Sequence, residues 1–359
     1  MLLERHDVPV GDAVRRIVAL QAQEPASPYL ALWSRIRAFN PGDLDLAFRE
    51  HVVVKATLMR ITLHAVHVDD YPTFHEAMRE TLRAARLNDR RFLQSGLTPE
   101  EAEVAAPLLV EFASESRTRD EMEATLADHM GTPDVSWVWW ALRHVGHFWH
   151  APSDDSWSFG RRPSYVAART ERHHDPRLSA QRLIRRYLQG FGPASPRDFA
   201  QFALLRQSTI RPALKEMTDL VEREGPDGEL LLDVANAPLP DEETPAPPRL
   251  MAMWDSTLLA YRDRGRVVPE EFRRVVIQRN GDVLPTVLVD GYVSGVWRPV
   301  EGGVEVTSFR PLSDAVWEQL TCEARDLLDL LADREPTVYS RYGRWWSDLP
   351  AAQSSVLSG

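Results

Sequence analysis

The sequence predicts an α+β fold assembled from small modules in series, and three observations predict it. Three times along the chain, helical apolar periodicity gives way to a short β-rich stretch. Beyond residue 248 the apolar period is mostly two, as in strands with one buried face. Between these textures, residues 236–248 hold five prolines and three consecutive acids and read as a linker. With 359 residues, 43% of them apolar, the chain has enough side chains for several cores.

The first pass opens on residues 10–20, where Val10, Ala13, Val14, Ile17, Val18 and Leu20 share one helix face that runs directly into Gln21-Ala22-Gln23. Ser27-Pro28 breaks the chain before a second helix through Leu30, Leu32, Trp33 and Ile36, and Asn40-Pro41-Gly42-Asp43 starts a third, 44–49. Residues 52–67 are rich in branched side chains and read as a hairpin. Helix, helix, helix, hairpin is the winged-helix order, which sets a first module at 1–75. A second, 76–175, has helices at 100–114, 119–130 and 137–145 and a wing of 148–150 with 156–159 around Pro152-Ser153-Asp154-Asp155. A third, 176–240, has a helix at 180–188, a start capped by Ser195 with Pro196 in the first turn, a helix at 210–224 and a wing at 230–234. In 241–349, strands 274–278 and 283–289 flank Asn280-Gly281, strands 292–297 and 304–309 follow, and a helix at 313–332 closes the domain. The predicted fold is therefore α+β, three tandem winged-helix modules followed by a small C-terminal β-barrel or sheet, with 350–359 as a frayed tail.

No apolar run approaches the roughly 20 residues of a membrane helix, and the N-terminus lacks an export pattern, so a cytoplasmic protein is expected. Cys322 is the single cysteine, which excludes an intramolecular disulfide and a thiolate-rich zinc site. A net charge of −11 argues against indiscriminate coating of nucleic acid. The charge is uneven, however: residues 161–215 hold twelve Arg or Lys against Glu171, Asp175 and Asp198, allowing one cationic face.

Alone, Gln21 and Gln23 read as solvent-facing or capping amides. Their context changes this. The stretch Leu20-Gln21-Ala22-Gln23-Glu24-Pro25-Ala26-Ser27-Pro28-Tyr29-Leu30-Ala31-Leu32-Trp33-Ser34-Arg35, followed by Leu58-Met59-Arg60-Ile61-Thr62-Leu63-His64, resembles the AlkZ-like winged-helix DNA glycosylase family. Phe159-Gly160-Arg161-Arg162-Pro163, Tyr187 to Ala194, Trp254 to Tyr261 and Asn280 to Thr286 extend the resemblance along most of the chain. It implies three winged helices plus a β-barrel wrapped around DNA, with a Gln-apolar-Gln signature at the active site. Gln21 and Gln23 fit that signature as the catalytic pair, with a small Ala22 between them.

The signature suits one substrate class. An N7- or N3-alkylated purine is already cationic, so its glycosidic bond is weakened and the base departs without a strong general acid. Neutral amides then suffice to position water and tolerate an oxocarbenium-like sugar. The expected partner is duplex DNA carrying an alkylated purine, including bulky adducts or crosslinks, bound by a monomer without cofactor or metal. Lyase chemistry needs an amine nucleophile, and Lys55 and Lys215 are the two lysines, both read as surface residues. No β-elimination is therefore expected.

Ser27, Tyr29 and Arg35 in the matched stretch, Lys55 near the first wing, and Arg60, Thr62 and His64 alternating along one strand are expected DNA contacts. Arg161, Arg162, Arg185 and Arg186 are expected phosphate contacts. His144, His147 and His150, spaced by three, lack the further ligands of a zinc site. Asp255 and Asp263 read more simply as caps or ion-pair partners than as catalytic carboxylates. The reading from a different class is a non-catalytic winged-helix regulator or damage sensor, since fold alone does not establish chemistry.

Overall fold

The computed structural model describes residues 1–169, 175–226, 228–347 and 349–358. The chain forms two compact units, one of Met1–Leu44 with Asn236–Gly359 and one of Asp45–Ala235. The expected first module is thereby divided: its initial helices and the glutamine motif belong with the C-terminal part, and its hairpin belongs to the other unit. The break after Ala235 falls where the proline-rich acidic stretch begins.

In the first unit an antiparallel sheet runs in the order Gln353–Leu357, Gly303–Ser308, Tyr292–Val300, Thr286–Val289, Arg249–Leu250. It is open, with Gln353–Leu357 and Arg249–Leu250 as edges, and this corrects the expected barrel. The helix Asp314–Ala332, N-capped by Ser313, packs on the sheet. Its Leu320, Ala324, Leu327 and Leu331 form one buried stripe, and the strand residues Val293, Trp297, Val304 and Val306 are buried as well, so the packed helix covers a sheet that stays open. Gly295 permits close strand approach, because a Cβ there would collide with the carbonyl oxygen of Thr307.

Two further expectations are corrected in this unit. The supposed tail is a paired strand, Gln353–Leu357, whose register with Val304–Ser308 satisfies its backbone groups. The supposed strand at 274–278 is replaced as far as Val276 by a helix, Glu270–Val276, and Ile277 alone makes a bridge, to Val283. Glu270 and Glu271 in the first turn and Arg273 and Arg274 in the last complement the helix dipole, and this outweighs the β-branched run Val275-Val276-Ile277. Gly281, at φ +89°, still makes the turn.

The second unit holds a sheet in which Leu63–His67, Val53–Thr57, Phe148–Ala151, Ser164–Ala167 and Arg117–Thr118 are successive neighbours. The first two expected wings therefore share one sheet, joined where Lys55 pairs with His150. The partner of Phe148–Ala151 is Ser164–Ala167 rather than 156–159, because a loop of twelve residues intervenes and pairing at that range carries no local turn signal. The expected helix at 210–224 stops at Lys215, containing Pro212, and Leu220–Glu224 instead pairs with Leu230–Val234. Thr98, Thr118 and Ser195 each make a reciprocal capping box. A 17-residue helix, Tyr71–Leu87, with Pro72 in its first turn, packs against both Pro176–Phe191 and Ser136–Val145. Trp139 lies in a core with Leu87, Leu109, Met122 and Leu126, edge-on to Phe148 at 5.4 Å and Tyr165 at 5.1 Å.

Candidate active site

The glutamine motif lies on a crossing between helices rather than at a helix end. The helix Val10–Ile17 stops short of the expected residue 20, and Val18 takes φ +73°, a costly conformation for a β-branched residue. The chain then extends through Leu20–Gln21 and bends again before the helix Ser27–Trp33, with Pro28 in its first turn. Leu20 and Ala22 are buried, Gln21 is 6% exposed, and Gln23 is exposed. One amide of the pair is thus held inside while the other faces outward.

The crossing is fixed from both ends. Ser256 Oγ donates to the carbonyl oxygen of Ala19 at 2.6 Å. Beyond the motif, the Ser27 and Tyr339 hydroxyls share a hydrogen bond of 2.9 Å, and Tyr339 OH accepts from Met253 N at 3.2 Å. Burial holds that phenol well above its ordinary pKa. Arg35, 3% exposed, makes a two-pronged ion pair with Asp255, both bonds 2.8 Å, and also donates to Thr257 Oγ1 and the Ala31 carbonyl. Asp255 in turn caps Ser256–Leu259 through Thr257 N. The simpler reading of Asp255 is therefore the structural one, with Arg35 as partner, and Asp263 caps Gly265 N.

Glu24 follows Gln23 directly. Its carboxylate accepts from Tyr342 OH at 3.2 Å and pairs with Arg341. Both partners lie on the 3₁₀ segment Ser340–Trp346. The same segment reaches the Asn280-Gly281-Asp282 turn: Trp345 Nε1 donates to Asp282 at 3.1 Å and Arg344 stands 3.7 Å from that carboxylate. Trp254 completes the arrangement, donating to the Gly281 carbonyl at 2.8 Å and meeting Tyr342 edge-on at 5.6 Å. Sequence reading passed over this segment, although a run of two tyrosines, two tryptophans and two arginines within 339–346 was its available signal.

The profile of AlkZ-like DNA glycosylases matches residues 14–330, which includes the motif, the Arg35–Asp255 pair and the 280–282 turn. The chain belongs to the AlkZ-like DNA glycosylase family. A Streptomyces sahachiroi protein described as an interstrand DNA cross-link repair glycosylase is 26% identical over 327 residues, covering 83% of this chain and 84% of that protein. The solved structure of the Streptomyces sahachiroi DNA glycosylase AlkZ shares the fold, with a TM-score of 0.78, 21% identity and coverage of 91% and 92% of the two chains.

Several expected DNA contacts of this AlkZ-like chain are placed inside it. Ser27, Tyr29 and Arg35 are buried, with Ser27 and Arg35 paired as above and Tyr29 under the Arg334 guanidinium, so their side chains are turned into the protein. In the other unit Lys55 is 4% exposed, its ammonium 4.2 Å from the Phe159 ring centroid, and burial pulls its pKa down to about 7. His64 is fully buried and held neutral, its pKa lowered to about 3 by burial first and Arg60 second. Arg60 Nη2 donates to His64 Nε2 at 3.1 Å, so the proton sits on Nδ1 and is donated to the Thr62 carbonyl at 3.0 Å.

Arg60, Thr62 and His64 do not alternate along one strand. Met59–Ile61 is a 3₁₀ turn with Arg60 at φ +53°, and its guanidinium donates to the Phe202 carbonyl at 2.7 Å while Thr62 Oγ1 bonds back to Met59. Arg185 pairs with Asp219 at 2.8 Å and Arg186 with Asp70 at 3.2 Å. Arg161 and Arg162 are exposed, and none of the ion pairs among the described residues takes them. His147 stacks near His75 at 4.4 Å, His144 bonds to the Trp140 carbonyl and His150 faces Tyr165.

Proposed function

We propose that the protein is a monofunctional DNA glycosylase that hydrolyses the N-glycosidic bond of cationic alkylated purines, N7-alkylguanine above all, including bulky adducts and crosslinks. The carrying observation is the exposed Gln23 amide, set between buried Ala22 and the anchored carboxylate of Glu24. In an N7-alkylguanosine the bonding pair of C1′–N9 leaves with the base and neutralises its charge, while positive charge develops at C1′. Gln23 aligns the water that adds to C1′, and the proton of that water passes to solvent. Gln21, mostly buried, braces the segment and orients Gln23 or the sugar. Glu24, adjacent in the chain and held by Tyr342 and Arg341, fixes the bend that presents Gln23.

The same reading makes duplex DNA the partner, uses the helix-plus-hairpin modules as winged helices, and places a monomeric enzyme in the cytoplasm, at the nucleoid during repair or self-resistance. Lyase activity is not part of it. Lys55 lies buried against Phe159, and Lys215 ends an exposed helix turn.

A duplex with a single N7-methylguanine tests the reading. Incubation with native protein yields free base and an intact strand that breaks only after alkali. Direct strand breakage would contradict monofunctional hydrolysis, and binding without any base release would leave a DNA-binding protein.

A further inference from the structure

The second unit carries a cluster of arginine and tryptophan that the glutamine chemistry does not use. Two guanidiniums stack on the indole of Trp140, with Arg91 4.1 Å and Arg86 4.6 Å from its centroid. Arg91 is also 5.5 Å from the ring centroid of Trp137, a side chain 40% exposed, and the two indoles meet edge-on at 6.0 Å. Beside them lies a cavity of about 170 Å³ lined by Arg119, Glu123, Ser136, Trp137, Trp139, Trp140 and Arg143.

Positive charge here exceeds negative. Of the four arginines that line the cavity or stack on its indoles, Arg91 pairs with Asp89 at 2.9 Å and Arg119 with Glu123 at 2.6 Å. Arg143 donates to the neutral hydroxyl of Tyr165, and Arg86 to the carbonyl of Ile61 at 3.3 Å. The crowding registers on Arg86, which burial and then Arg91 and Arg143 pull down to about 10. Two buried donors, Arg86 Nε and Trp139 Nε1, have no hydrogen-bond partner among the described residues. Such orphans are rare in native interiors.

Within the lining, Arg143 has no carboxylate partner and Trp139 Nε1 no acceptor among the described residues, while Arg86 and Arg91 add charge on the Trp140 indole, and this combination calls for an acceptor that carries negative charge. Size narrows its class. A cavity well below the roughly 300–1,000 Å³ of a drug-sized ligand site admits a group rather than a whole molecule. A phosphate fits, because its oxygens accept N–H donors and pair with arginine, and a nucleic-acid backbone presents it with the remainder of the ligand outside.

We propose that this cavity is a phosphate site that takes one phosphodiester of the DNA backbone, with Trp137 at its rim against the adjoining nucleotide. The proposal rests on the functional reading above only for DNA as the source; the phosphate chemistry stands apart from it.

The test is duplex binding by the full chain across a range of salt concentrations, comparing native protein with Arg91→Gln, Arg143→Gln and Trp137→Ala. Loss of one phosphate contact lowers the slope of log affinity against log salt by about one and weakens binding several-fold. Arg143 also holds Tyr165, so Arg91→Gln and Trp137→Ala, at more exposed positions, carry the test if Arg143→Gln does not fold. A folded Arg143→Gln variant with native slope and affinity, or, where that variant does not fold, Trp137→Ala together with Arg91→Gln at native slope and affinity, overturns the proposal. A parallel titration with inorganic phosphate reads the site through tryptophan fluorescence. A saturable change that Arg143→Gln abolishes, without any effect on DNA binding, overturns DNA as the source. Native protein that binds no duplex defeats the functional reading instead, and then absence of a saturable phosphate response defeats the site as well.

Discussion

Arg35 and Asp255 stand 220 positions apart and meet as a buried ion pair beneath the motif. Removing one member leaves the other charged and unpaired, so Arg35→Ala is expected to cost about 3–5 kcal/mol of stability, measured by denaturant unfolding. Lys55 presents the opposite case. Its folded pKa, about 7, lies below the unfolded value near 10.5, so the unfolded chain binds more protons between these limits and stability rises with pH across them. Lys55→Met is expected to raise stability at pH 7 and to flatten that rise, read as midpoint shifts between pH 7 and 10. His64, His75 and His144, each lowered to about 3 by burial, act below that window: their contribution is complete above about 6.5 and lost as pH falls toward 3. The motif glutamines could be picked out from their neighbours in the chain. The interior placement of Arg35, Lys55 and His64 could not, because burial depends on distant partners such as Asp255 and Phe159, and a polar residue in a strand reads as surface until those partners are known.

The segment Ser340–Trp346 joins two stretches that sequence spacing keeps far apart, the Gln23-Glu24 bend and the 280–282 turn. Tyr342→Phe keeps the contact with Trp254 and removes the hydroxyl from Glu24. We expect base release to fall about tenfold with stability changed by only about 1 kcal/mol, as befits one hydrogen bond. Unchanged release would detach Glu24 from the site. Elements set by local chemistry were readable from sequence: the Ser195 cap with Pro196, the helix Ser136–Val145 and the helix Asp314–Ala332 with its Ser313 cap. Elements set by distant pairing were not. Phe148–Ala151 finds its partner across a long loop, and Gln353–Leu357 becomes a strand because Gly303–Ser308 offers an edge. The helix Glu270–Val276 was obscured by its branched residues, although its end charges announced it.

At the scale of the molecule, module order along the chain does not set the compact units. The motif's helices join the C-terminal sheet domain, while three hairpins that sequence assigns to separate modules fall within Asp45–Ala235. A chain of net charge −11 must bind DNA through local cationic surface, which the exposed Arg161 and Arg162 and the Arg91–Trp140 cluster offer within that unit. The central claim nevertheless concerns one side chain in the other unit. Its most direct test is the single-turnover rate of N7-methylguanine release from duplex DNA by native protein and by Gln23→Ala, with duplex affinity measured in parallel. A fall of about a hundredfold or more in release, at unchanged affinity, is the result expected of a water-positioning amide. Release by Gln23→Ala at the native rate would contradict the account and move the chemistry away from the glutamine motif.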